Sequence, residues 1–193
     1  MIDEVVSSDS ENLILVSPQD EVLGTLDKAR CHDGQGILHR AFSIFLFDEA
    51  NRLLIQQRAA GKRLWPLYWA NSCCSHPRVG ESLELATTRR LREELGVSAR
   101  LSFAYQFEYQ AQYGDIGAEH ELCSVYLGRV QPQLVNINTT EVVDTRWISL
   151  ADLDQWIQTS PSEPPIAPWF GLEWLRFRDE YSSVLEAFLS TKL

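Results

Sequence analysis

The sequence predicts a single domain of the α+β class with a hairpin near its N-terminus. Short apolar runs separated by turn residues fill the first third of the chain, a charged helix follows, and strand-like runs return before a helical C-terminus. With 193 residues, 45% of them hydrophobic, the chain can bury one substantial core but is too short for two ordinary domains. The domain is expected to span 1–193, with 1–10 as a disordered tail.

Residues 13–16 and 22–26 flank Ser17-Pro18-Gln19-Asp20-Glu21, a short polar turn with proline, and so predict a hairpin. Strands are expected over 42–47 and 52–58, divided by the turn signal Asp48-Glu49-Ala50-Asn51. A helix over 82–95 is marked by Leu91 and Leu95 one turn apart and by Gly96 at its end. Strands follow over 101–110, 121–130 and 142–148. A helix over 150–158 begins after Ser149, and apolar residues at helical spacing run from 170 to 188. Pro161, Pro164, Pro165 and Pro168 make a stiff bridge that delivers Trp169 to a definite place.

Charge and composition exclude several classes of partner. A net charge of −10 opposes binding to nucleic acid, which needs a basic surface. A small diphosphate is still allowed, because salt screens a distant negative field beyond about 8–10 Å. The apolar run over 41–47 is too short to cross a bilayer and the N-terminus lacks a basic start, so no membrane association and a cytoplasmic location are expected. The four cysteines, Cys31, Cys73, Cys74 and Cys123, follow no zinc-ribbon spacing and are expected as free thiols.

A metal site is suggested by donor type and spacing. His32 and His39 lie in one polar, Gly-containing connection, His76 follows a cysteine pair, and Glu119 and Glu121 are two apart at a strand start, hence on one face. Three imidazoles and two carboxylates make a nitrogen and oxygen set that suits Mn²⁺ or Zn²⁺ better than Mg²⁺.

Asn71-Ser72-Cys73-Cys74-Ser75-His76-Pro77, followed by Arg89-Arg90-Leu91-Arg92-Glu93-Glu94-Leu95-Gly96-Val97, resembles type I isopentenyl diphosphate isomerase, a Nudix-fold family. His32, His39, Glu119 and Glu121 extend the resemblance over most of the chain. It implies a Nudix-type mixed sheet sandwiched by helices. Arg89, Glu93, Glu94 and Gly96 match the Nudix helix, but Arg90 stands where hydrolases carry a Glu and Ser75 where the pattern begins with Gly. The resemblance therefore implies that no water-activating metal cluster survives, while Glu94 and the Cys74 backbone carbonyl hold one Mg²⁺ on the substrate. The bland reading of the same helix is a charged face of i,i+4 pairs, Arg89 with Glu93 and Arg90 with Glu94.

By the same resemblance Lys28, Arg58, Lys62 and Arg90 bind the diphosphate, and Cys74 and Glu121 are the opposed acid and base, with Tyr109 bonded to the carboxylate. Trp169 is similar to the indole that covers a tertiary carbocation formed between isopentenyl and dimethylallyl diphosphate. The thiol is expected to have its pKa lowered by nearby cations. The oligomeric state is left open, with a monomer as the expectation. A Nudix hydrolase of nucleoside diphosphate derivatives would need the Glu that Arg90 replaces, and a silent ligand-binding Nudix domain would not need Cys74 and Glu121 together.

Overall fold

The computed structural model describes residues 2–159 and 165–191. The N-terminal hairpin forms from β1 (Asn12–Val16) and β2 (Val22–Asp27), closed by Ser17 N–H donating to the Glu21 carbonyl at 2.9 Å. A single helical turn, α1 (Lys28–Cys31), follows; Asp27 caps it by accepting from the Arg30 N–H. This turn was not legible in sequence.

At the centre lies β3 (His39–Phe47), antiparallel to β6 (Cys73–Ser75) on one side and parallel to β8 (Gly117–Arg129) on the other. Beyond β8 runs β7 (Leu101–Tyr113), antiparallel to it. The second wing is β4 (Leu53–Arg58), paired with β5 (Trp69–Ala70) and β9 (Val142–Ile148). Among the described residues nine strands form this one mixed sheet.

Both faces of β3 are buried from Ala41 onward, which is why 41–47 is apolar apart from Ser43. Phe42, Ile44 and Leu46 pack with Leu91 and Leu95 of α2 (Leu83–Leu95). Ala41, Phe45 and Phe47 point the other way, toward α3 (Leu150–Thr159), α4 (Pro168–Asp179) and α5 (Ser182–Ser190). Helix α2 has the predicted ends. The Ser82 side chain accepts from the Leu85 N–H, a cap worth about 0.5–2 kcal/mol against alanine. Gly96 takes φ +66°, and a Cβ there would lie 2.9 Å from the Asn136 carbonyl.

Two expectations are corrected. The helical stretch over 170–188 is two helices, broken where the Glu180 and Tyr181 N–H groups both donate to the Arg176 carbonyl. Asp, Tyr and Ser are weak helix formers, and the break lets Tyr181 stack on Tyr105 at 4.2 Å. The N-terminal segment, expected as a disordered tail, is tied to the turn before β9. Ile2 N–H donates to the Ile137 carbonyl at 2.9 Å, and Asn138 and Thr140 side chains both donate to the Glu4 carbonyl. Met1, Pro161 and Pro164 lie outside the described residues. Pro165 accepts from the Trp69 N–H at 2.9 Å, and Ala167 N–H donates back to Trp69 at 2.8 Å, so this part of the bridge is held against β5.

Candidate active site and metal centre

The sheet register assembles the site. His39, Glu121 and Tyr109 are directly opposite one another on β3, β8 and β7, forming a row across three strands, and Ser43 on β3 is opposite Cys74 on β6. Because side chains alternate, Cys73 joins the α2-side core while Cys74 points to the α4 side, where the row faces a cavity of about 370 Å³. Lining it are Cys74, His76, Tyr109, Glu119, Glu121 and Trp169, together with Lys28, Arg58, Lys62 and Arg90.

The predicted metal set comes together. His32, His39, His76, Glu119 and Glu121 each offer a donor atom, all within 4.8 Å of one another. Gly117 makes this possible, since a Cβ there would sit 2.2 Å from the His32 carbonyl and push β8 away from the loop carrying that imidazole. His39 Nδ1 donates to the Ile37 carbonyl at 2.7 Å, which fixes the ring so that Nε2 keeps a lone pair aimed at the cluster. His32 Nε2 and Glu119 Oε2 approach to 2.7 Å, yet neither has a properly aligned hydrogen-bond partner. Two buried donor atoms left without partners in a converging set of five fit a divalent cation at its centre.

Burial and the neighbouring imidazole press the His39 pKa down to about 3, and burial drives His76 down also, so both rings are neutral, as metal ligation requires. Burial opposes charge on Glu119, but the imidazoles, His32 foremost, outweigh it and hold that carboxyl well below its usual range. Glu121 goes the other way: burial and the Glu119 charge raise it to about 7. Its Oε1 lies 2.9 Å from His76 Nε2, and its Oε2 accepts from the Tyr109 hydroxyl at 2.7 Å. Two carboxylates on one strand face are thereby split into an ionised one and one able to carry a proton near neutrality.

The Cys74 thiol departs from expectation. It is only partly exposed to the cavity, and burial pushes its pKa up, with Arg58 pulling weakly the other way. Desolvation outweighs the cations, so the group rests as a thiol. Trp169 is held by its Nε1–H donating to Asn71 Oδ1 at 3.2 Å; its ring meets the Trp65 ring edge-on at 5.3 Å, and the Arg58 guanidinium lies 5.0 Å over it. Asn71 also donates to the Ile44 and Cys73 carbonyls, so the residues before Cys74 tie the thiol strand to the indole.

The four cations converge but are not free. Arg58 donates to the Leu64 and Trp65 carbonyls, and Lys28 to Ser7 Oγ at 3.0 Å. Burial and the charges of Lys62 and Arg90 lower the Lys28 pKa. Arg90 donates to Glu94 at 2.6 Å and to Glu141 at 2.7 Å, and Glu141 also receives Lys62. Arg89 pairs with Glu93 at 3.0 Å, so both i,i+4 pairs of the bland reading exist. Glu94 has its second oxygen on Gln56 Nε2 and does not line the cavity, so a divalent ion at Glu94 has to compete with Arg90. Ser7, Trp65, Asn71 and Glu141 escaped the sequence reading. Of these only Asn71, inside the Cys-Cys motif, carried a local signal.

The NUDIX domain family matches residues 37–170, and fold and site together define a Nudix-domain protein. Isopentenyl-diphosphate Delta-isomerase 1 of Photorhabdus laumondii is 40% identical over 166 residues, 85% of this chain and 93% of that one. The Isopentenyl-diphosphate Delta-isomerase of Burkholderia multivorans is 41% identical over 160 residues, 83% of this chain and 89% of its own. The chain belongs to the type I isopentenyl-diphosphate isomerases of the Nudix superfamily. A crystal structure from Deinococcus radiodurans has the same fold, with a TM-score of 0.70 at 20% identity over 86% of this chain and 98% of that one.

Proposed function

We propose that this isomerase interconverts isopentenyl and dimethylallyl diphosphate by protonation and deprotonation, with Cys74 and Glu121 as the opposed acid and base. The observation carrying this reading is that both line one cavity together with Lys28, Arg58, Lys62 and Arg90. One of the pair gives a proton to one end of the alkene and the other takes a proton from the neighbouring carbon, through a tertiary carbocation. Tyr109 donates to Glu121 and so holds the carboxyl in place and steadies its anionic form after a proton leaves. Trp169, backed edge-on by Trp65, shields the cavity from water, which would trap the cation.

His32, His39, His76, Glu119 and Glu121 are the residues that would hold a divalent metal, Mn²⁺ or Zn²⁺ by donor type, while a Mg²⁺ arriving with the diphosphate would reach Glu94 and the Cys74 carbonyl only by displacing Arg90 from that carboxylate. When bound, these ions supply positive charge that steadies the Glu121 carboxylate and offsets the diphosphate. The four free cysteines fit a cytoplasmic setting for this chemistry.

Incubation with isopentenyl diphosphate and Mg²⁺ in D₂O, followed by proton NMR, should give dimethylallyl diphosphate carrying solvent deuterium; release of phosphate or unchanged substrate sinks the reading. A further expectation concerns Trp169. An analogue with a tertiary ammonium in place of the cationic carbon should bind well above the substrate, and Trp169→Leu should weaken the analogue more than the neutral substrate, by about 1–2 kcal/mol. Calorimetry showing equal weakening of both ligands would reduce Trp169 to a shaping role.

A further inference from the structure

Glu173 is a buried acid that the chemistry above does not use. It sits on α4 one turn after Trp169, on the same helix face, and is 0% exposed. The Cys123 thiol lies between it and β3, with Sγ 3.6 Å from Glu173 Oε1 and 3.5 Å from Ser43 Oγ. Glu173 Oε2 has no hydrogen-bond partner, and the Tyr105 hydroxyl donates to the backbone carbonyl of the same residue at 2.8 Å.

The neighbours of this carboxyl belong to the reaction site. Ser43 is opposite Cys74 in the β3–β6 register, and Cys123 is two residues beyond Glu121 on the same face of β8. The cluster thus underlies both members of the acid–base pair and reaches them from the helix that carries the indole. A carboxylate here would be an uncompensated buried charge. Burial first, then the Glu121 charge, raise the Glu173 pKa to about 8, with the Ser43 and Cys123 hydrogen bonds only partly opposing.

We propose that Glu173, as an un-ionised acid, is a positioning residue for the isomerisation, anchoring α4 and its Trp169 to the strands that carry Cys74 and Glu121. The proposal rests on the acid–base reading of that pair. A neutral group is required because a negative charge at this depth would disfavour any anionic form of Cys74 or Glu121 that the proton transfers pass through. The titratable and charged groups around the carboxyl are Cys123 and Glu121 from β8, Cys74 from β6, Tyr105 from β7, Tyr181 stacked on Tyr105 ahead of α5, and Arg176 further along α4.

The test compares Glu173→Gln, Glu173→Leu and Cys74→Ala with wild type in the full chain, by circular dichroism, KM, kcat and the pH profile of kcat. Glu173→Gln, neutral and able to donate, should keep most of its turnover and lack the decline expected of wild type as pH rises through about 8. Glu173→Leu should fold and lose kcat by a factor on the order of 10² with little change in KM, because misplacement of the reacting groups acts on the transition state. A folded Leu variant at wild-type rate, or a Gln variant as slow as Leu, overturns the proposal. If the Leu variant does not fold, the pH profiles decide, and superimposable wild-type and Gln profiles overturn it. Full activity in Cys74→Ala would instead sink the acid–base reading, whereas an inactive Cys74→Ala beside an unaffected Glu173→Leu removes only the role of Glu173.

Discussion

Cys74→Ala is expected to lose turnover by a factor on the order of 10²–10⁴, the usual contribution of a positioned acid or base, while binding inorganic pyrophosphate almost as wild type does. The cations proposed to hold the diphosphate are anchored by the Leu64 and Trp65 carbonyls, Ser7 and Glu141, none of which depends on the thiol. Cys73→Ala is the control. Its side chain is fully buried on the α2 side of the sheet, so its loss should cost stability, about 1 kcal/mol, and leave kcat unchanged. NMR turnover, calorimetry with pyrophosphate and thermal denaturation separate the two effects. Equal activity in the two variants would remove Cys74 from the chemistry.

His39→Ala and His76→Ala should each strip the protein of its tightly held metal. Wild type should keep about one transition-metal or zinc ion per chain through gentle purification, because buried neutral imidazoles beside a carboxylate are costly to leave unligated. Removing an outer-shell partner of a ligand typically costs 10–100-fold in metal affinity, and losing a ligand should cost at least about that much. Elemental analysis reads the loss, and thermal denaturation with and without chelator should show a drop in Tm for wild type and none for the variants. Active wild-type protein without such an ion, or a full complement in His39→Ala, would sink the assignment.

Elements with local punctuation were legible in the sequence. The Ser17–Glu21 turn and the Ser82 and Gly96 caps each depend on neighbours a few residues away. The five clustered donors were legible because Glu119 and Glu121 are two apart in a strand and three of the four histidines stand at positions that resemble the isomerase pattern. What escaped depends on distant contacts. Strands of two and three residues, β5 and β6, exist through their partners on β4 and β3. Glu141 and Glu173 look like ordinary acids among 27, and only burial gives them a role. The direction in which the Cys74 pKa moves could not be read either, since residue types name the nearby cations but not how completely the thiol is enclosed.

The row of His39, Glu121 and Tyr109 across three adjacent strands carries a consequence for how such a site can change. Lateral spacing between these groups is that of the backbone ladder, about 4.8 Å per strand, and repacking a side chain cannot retune it. A slip of one residue in β8 would turn Glu119, Glu121 and Cys123 together to the opposite face. The proposed acid, the clustered donors on these strands and the sheet register are therefore tied together, so that none of them can shift along the strand alone.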